Sequence, residues 1–331
     1  MVSKRRKKSP AEELSVVHPY AAGIDIGSTF HVAAIPPQLD DEPVRRFGAF
    51  TQELHQLADW LVQRGVSTVA MESTGVYWVA VYEILEDRGL DVQLVNARET
   101  KSVPGRKTDV NDAQWLQKLH SYGFLRASFR PGRTIAALRA YVRQRERLLD
   151  YAAAHIQHMQ KALTQMNIQL HHVVSDVTGA TGMKIIRAIV AGERDVETLA
   201  LLRDVRCKAT EETIRQALIG NYQAEHVFAL TQALDLYDFY QQQIAACDVE
   251  IEKVLESLRK ASSSPSKPLP KARHRTRQPN APAFDVRAML YPIVGTDLTQ
   301  IHGFGPSLAL KLVSECGTDM SRWPTAKHFT S

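Results

Sequence analysis

Ala21-Ala22-Gly23-Ile24-Asp25-Ile26-Gly27-Ser28, continued by Thr29-Phe30-His31-Val32-Ala33-Ala34-Ile35, is the stretch on which the fold turns. Its apolar runs predict two strands, Ala21–Ile26 and His31–Ile35, joined by a turn around Gly27 and Ser28. A carboxylate inside such a strand is expensive to bury unless it is paired or meets a cation. Side chains alternate along a strand, so Asp25 points away from the face that carries Ile24 and Ile26. One aspartate in a strand says little alone; its value depends on what the neighbouring elements bring to it.

Working outward, Val44–Phe47 predicts a third strand, and Leu54, Leu57, Leu61 and Val62 mark one face of a helix closed by Gly65. A short buried strand, Ser67–Met71, follows, then a helix over Val76–Asp87, a strand over Val92–Val95 and a helix over Thr108–His120. Three strands and then helix, strand, helix, strand, helix is the order of a ribonuclease-H-like sheet, although periodicity alone establishes only an α/β domain. Glu72 closes the fourth strand at an apolar edge. Asp109 and Asp112 lie three apart at the start of a helix, which puts both on one helical face. Their bland reading is complementation of the helix dipole.

Taken together, Asp25, Glu72, Asp109 and Asp112 are candidate catalytic residues and candidate ligands for Mg²⁺ or Mn²⁺. Hard divalent ions take oxygen ligands, and a pair of them ~3.5–4 Å apart serves phosphodiester chemistry. Lys101, Arg106 and Lys107 immediately precede the helix, where they either hold a phosphate or belong to a solvated loop. Tyr77 and Trp78 are expected to pack in the core.

The rest of the chain is helical. Leu138, Val142, Leu149, Ala152, Ile156, Met159, Leu163, Met166 and Leu170 form a three-four seam with Arg145 as its polar intruder. A second seam runs from Leu230 to Leu258, with shorter helices between the two over residues 176–222. The pattern predicts an antiparallel coiled-coil hairpin or a stalk between subunits; the plainer alternative is the core of a helical bundle. Residues 261–283 read as a linker rich in Ser, Pro and cations, including Arg273, Arg275 and Arg277. From 284 a further helical domain opens with a helix-hairpin-helix-like element, where Gly303 and Gly305 precede a helix and offer backbone N–H groups to a phosphate. The expected division is a basic arm at 1–18, an α/β domain at 19–130, a helical region at 131–260, the linker, and the start of a C-terminal domain at 284–331.

The formal net charge is +5, and no acidic residue lies between Glu256 and Asp285. Concentrated cations point to a polyanionic partner. The three cysteines have no metal-ligand spacing, and no apolar run nears the ~20 residues of a membrane span, so a cytoplasmic protein with no membrane partner is expected.

Four motifs in order carry a family resemblance: Gly23-Ile24-Asp25; Met71-Glu72-Ser73-Thr74-Gly75-Val76-Tyr77; Lys107-Thr108-Asp109 with Asp112-Ala113; and Ile301-His302-Gly303-Phe304-Gly305. With them the chain resembles the DEDD transposases of insertion-sequence family one hundred and ten, also called bridge-RNA-guided recombinases. The resemblance implies a RuvC-like N-terminal domain in which Asp25, Glu72, Asp109 and Asp112 are the four letters of the name, and a C-terminal transposase domain. It further implies a homo-oligomer, dimer or tetramer, that joins donor and target DNA with a structured guide RNA. Family members carry a nucleophilic serine in a Gly- and Pro-rich segment that has no equivalent here; Ser307 and Ser314 do not match it, so the C-terminal domain is expected to be truncated. Two other readings of the same residues are a ribonuclease-H-like junction endonuclease and a non-catalytic nucleic-acid-binding remnant.

Overall fold

The computed structural model describes residues 15–73, 75–96, 112–262, 265, 267–273 and 280–330, and divides them into two compact units that meet at Arg130 and Pro131. In the first unit the strands are β1 (Ala21–Ile26), β2 (Phe30–Ala34), β3 (Val44–Gly48), β4 (Thr68–Glu72) and β5 (Asp91–Val95), and the helices are α1 (Thr51–Gln63), α2 (Trp78–Asp87) and α3 (Asp112–Ser121). They form one sheet in the order β3-β2-β1-β4-β5. The β1–β2 and β2–β3 pairs are antiparallel; β1–β4 and β4–β5 are parallel. This mixed order is compatible with the ribonuclease-H-like expectation.

The two faces of the sheet do different things because β1 is sided. Ala22, Ile24 and Ile26 join Ala33, Val69 and Met71 in a core closed by Leu54, Leu57 and Leu61 of α1 and Val81 and Leu85 of α2. Asp40, in the loop between β2 and β3, ties that loop to α1: it accepts from Trp60 Nε1 at 2.8 Å and pairs with Arg45 at 3.1 Å and Arg64 at 2.8 Å. On the other face Ala70, Val95 and Leu116 form a smaller cluster under α3.

Three expectations need correction in this unit. Helix α2 begins at Trp78, two residues later than the sequence suggests; Val76 is 74% exposed and Tyr77 50%, so Tyr77 is not a core residue, while Trp78 packs against the core. The turn that precedes α2 contains Gly75 at φ +57, which stops a helix from starting earlier. The arm expected to run to residue 18 is already tethered, because the backbone N–H groups of Val17 and His18 donate to Ser121 O at 2.8 and 2.9 Å.

The second unit is built on two long helices, α4 (Arg133–Gln165) and α9 (Ala224–Ala261). Between them lie α5 (Leu170–Val173), α6 (Ala180–Val190), α7 (Val196–Leu201) and α8 (Glu211–Leu218). The long pair is antiparallel: Leu138 and Val142 near the start of α4 share a cluster with Ile251 and Leu255 near the end of α9, while Met159 and Leu163 pack with Leu230 and Leu234. The first seam does not run unbroken to Leu170, since Asn167 at φ 57 turns the chain and Leu170 opens α5.

Asp248 is the reason the intruder in that seam, Arg145, is tolerated. It is 6% exposed and its Nε donates to Asp248 Oδ1 of α9 at 2.5 Å; Asp248 is 5% exposed. The pair also fastens the chain after the basic segment, with Arg145 donating to Asn280 O at 2.9 Å and Asp248 accepting from Ala283 N at 3.0 Å. Helices α10 (Val286–Val294), α11 (Pro306–Cys316) and α12 (Ala326–Thr330) complete the unit. The linker stretch is hydrogen-bonded at 267–273, where Tyr291 Oη donates to Lys267 O at 2.9 Å and Gln300 Nε2 to Lys271 O at 3.2 Å. Lys267 and Lys271 are exposed there while their carbonyls accept these bonds.

A buried ion pair costs most when one partner is removed, because the other charge remains in a poorly solvated place. Arg145→Met is expected to destabilise this unit by about 3–5 kcal/mol, and Arg145→Met with Asp248→Leu to recover more than half of that loss. Urea denaturation followed by far-ultraviolet circular dichroism reads both; a single variant as stable as wild type would remove the pair from its structural role.

Candidate functional site

The site is assembled by how α3 crosses the sheet. The start of β4 is held to the end of α3, with Thr68 Oγ1 and His120 Nε2 2.9 Å apart in a buried contact. Ser121, the last residue of α3, accepts from the segment that leads into β1. The helix therefore runs antiparallel to β1 and β4, and its first residue, Asp112, lies at their carboxyl ends. Asp25 is the fifth residue of the six in β1. Glu72 is the last residue of β4 and sits opposite Val95 of β5.

Face as well as end is determined. Ile24 pairs with Met71 across β1 and β4, and both lie in the core on the α1–α2 side. The next residue on each strand, Asp25 and Glu72, turns to the α3 side. Gly23 is on that side too, and its lack of a side chain is what admits the helix: a Cβ there would stand 2.3 Å from Gln117 N and 2.5 Å from Ala113 O. Asp25 is one strand repeat beyond Gly23, and Asp112 one residue before Ala113. Three of the four sequence-selected carboxylates are thus brought to one end and one face of the sheet.

The fourth, Asp109, lies outside the described residues, as do Lys101, Arg106, Lys107, Arg275 and Arg277. Among the described residues no three His, Cys, Asp or Glu side chains are grouped closely enough to hold a metal ion. The donor set is carboxylate oxygen throughout, which is the chemistry a hard divalent ion selects. Arg273 is described, and its Nη1 donates to Gln300 O at 3.4 Å. Gly303 and Gly305 occupy the turn before α11: Gly303 has φ +77, Gly305 is the N-cap, and Pro306 opens the helix. These residues belong to the second unit.

His120, which sequence reasoning passed over, is 1% exposed. Its pKa is lowered to about 4, first by burial and then by the nearby His18, whose ring centroid is 5.0 Å away. It is neutral in the fold and serves to align α3.

Residues 22–168 match the IS110 family of DEDD transposases. The transposase match begins in β1, spans the whole sheet and α3, and ends just beyond α4. It contains all four carboxylates of the resemblance described above. A transposase is a DNA-processing enzyme in general terms. A search of curated proteins finds no match to the chain. Among the described residues no helix is long and apolar enough to cross a membrane.

Two outcomes follow for α3. Gly23→Ala forces the helix off β1 and is expected to cost at least about 2–3 kcal/mol, because backbone atoms and not flexible side-chain ends stand in the way. A melting temperature equal to wild type would refute the close approach. For His120 the folded pKa lies below the unfolded value of 6.5, so the unfolded chain takes up its proton first. Its stabilisation is complete above about pH 6.5 and is lost as pH falls toward 4, by on the order of 2–3 kcal/mol. His120→Gln is expected to flatten that part of the stability–pH curve, and superimposable curves would show that the ring titrates normally.

Proposed function

We propose that the chain is a transposase that acts on DNA by divalent-metal-dependent phosphodiester chemistry from a ribonuclease-H-like, RuvC-like domain. The observation that carries the reading is the arrival of Asp25, Glu72 and Asp112 at one end and one face of the sheet, with Gly23 admitting the helix that brings the third. In this reading Asp25, Glu72, Asp109 and Asp112 are the catalytic carboxylates and would hold Mg²⁺ or Mn²⁺. When bound, such ions lower the pKa of an attacking oxygen and stabilise the leaving one.

The residues of the chain have separate tasks. The strand carboxylates Asp25 and Glu72 are fixed by sheet hydrogen bonds, so they form the rigid side of the site. Asp112 sits at the start of α3, whose position depends on Gly23 and His120, and would close the site from the helix side. Lys101, Arg106 and Lys107 would neutralise the scissile phosphate. Arg273, Arg275, Arg277 and the turn at Gly303 and Gly305 would hold DNA or RNA backbone away from the chemistry. Donor and target DNA, a structured guide RNA and a second copy of the chain are the partners that the family resemblance implies.

The test separates metal from fold. At millimolar Mn²⁺ the melting temperature of wild type is expected to rise by on the order of 5 °C, and Asp25→Asn with Glu72→Gln to abolish the rise. The same variant is expected to lose metal-dependent nicking of supercoiled DNA while still binding it. Equal thermal shifts in the two proteins, or nicking that survives the double substitution, would overturn the assignment.

A further inference from the structure

The α3 face of the sheet does not stop at Asp25. Asp25 is directly opposite Val32 on β2, and Val32 is directly opposite Arg46 on β3. Residues directly opposite across antiparallel strands share a face, so Asp25, Val32 and Arg46 form a row across three strands. Two interstrand spacings separate the backbones of Asp25 and Arg46, about 10 Å.

Arg46 differs from its neighbour. Arg45 faces the core side, where it pairs with Asp40 at 3.1 Å and lies over the Trp60 ring. Arg46 is exposed, and among the described residues it is in no ion pair; its guanidinium lies over the ring of Phe30, 3.5 Å from the centroid. Stacking uses one flat face of a guanidinium and none of its N–H groups. The ring thus restrains an exposed cation without using its N–H groups, which can bind a phosphate through two parallel hydrogen bonds.

A third residue lies at the same end of the sheet. Ala49 N donates to Thr29 O at 3.1 Å, which keeps the chain after β3 beside the β1–β2 turn. Phe50 follows and is 82% exposed, although it is an apolar ring. An exposed aromatic and an exposed cation at one end of a sheet are the composition of a surface that stacks bases and tracks a backbone.

We infer that Arg46, held on Phe30, is a phosphate-binding residue for the nucleic-acid strand that enters the carboxylate centre, and that Phe50 stacks on a base of the same strand. This deepens the function proposed above and rests on it. At ~3.4 Å of rise per nucleotide, about 10 Å corresponds to a contact a few nucleotides from the reacting phosphate. Both are binding and positioning residues; neither touches the reacting atoms.

The experiment measures binding of the full 331-residue chain to a labelled 20-nucleotide single-stranded DNA by fluorescence anisotropy, over a range of salt concentrations without divalent metal, together with Mn²⁺-dependent nicking. Arg46→Ala is expected to weaken binding about tenfold and to reduce the salt slope by close to the ~0.7 that one single-strand phosphate contributes. Arg46→Lys is expected to retain the slope but lose part of the affinity, because a lysine does not stack in the same way. Phe50→Ala is expected to weaken binding about tenfold with the slope unchanged, since stacking releases no counterion. Asp25→Asn, as a control, is expected to bind normally and not nick. If Arg46→Ala keeps both affinity and slope while wild type binds and nicks, this inference fails and the proposed function stands. If wild type binds but nicking is absent or survives Asp25→Asn, the proposed chemistry fails while the binding row is judged on its own variants. Wild type that does not bind overturns both. Arg46 and Phe50 are exposed, and equal melting temperatures across the set exclude misfolding as the cause.

Discussion

A methyl group at position 23 would fall among the backbone atoms of Ala113 and Gln117. That constraint decides how far α3 can sink onto β1, and with it where Asp112 comes to rest. The remaining anchors of the helix, the Thr68–His120 contact and the tether from residues 17 and 18, fix its direction; Gly23 fixes its height. A carboxylate site shared between sheet and helix has no tolerance for a helix that floats. The core on the other face needs no such device, because aliphatic side chains there fill the space between sheet and helices by volume alone.

The second unit depends on a different device. Long antiparallel apolar helices can slide past one another by a turn at low cost, since one leucine contact resembles the next. A single charged pair in the seam, Arg145 with Asp248, has one register in which both charges are satisfied. Slippage by one turn would leave two buried charges unpaired. The same two side chains take up Asn280 O and Ala283 N, so register and the docking of the returning chain are set together.

Much of the α/β unit was legible from alternation. β1 falls on the residues read from the sequence, β4 and β5 differ by a residue at their ends, and the order of elements was readable because each strand is a short apolar run with its own turn residues. Asp25 and Glu72 stood out because carboxylates at the edges of apolar strands need an explanation. Arg145 stood out as an intruder, but Asp248 did not, because the second seam could be drawn through Cys247 and its charged neighbour read as surface. Tyr77 misled because aromatic character says nothing of where a turn will place a ring. Arg46 was illegible for another reason: whether it shares a face with Asp25 depends on the register of β2 against both neighbours, and a slip of one residue would have turned it to the core side. The His120 ring gave no signal at all, since its partner lies across the sheet in Thr68.

Among the described residues β3 is an outer strand, five residues long, with β2 on one side only. The unpaired side of such a strand is a template on which a second chain can add. Shortness and adjacent cations are the ordinary defences, and Arg45 and Arg46 supply the cations, one on each face. The two arginines therefore guard against self-association as well as performing their separate contacts. The sequence at this edge is accordingly constrained by solubility, and an apolar residue at position 46 would remove one of its two cations.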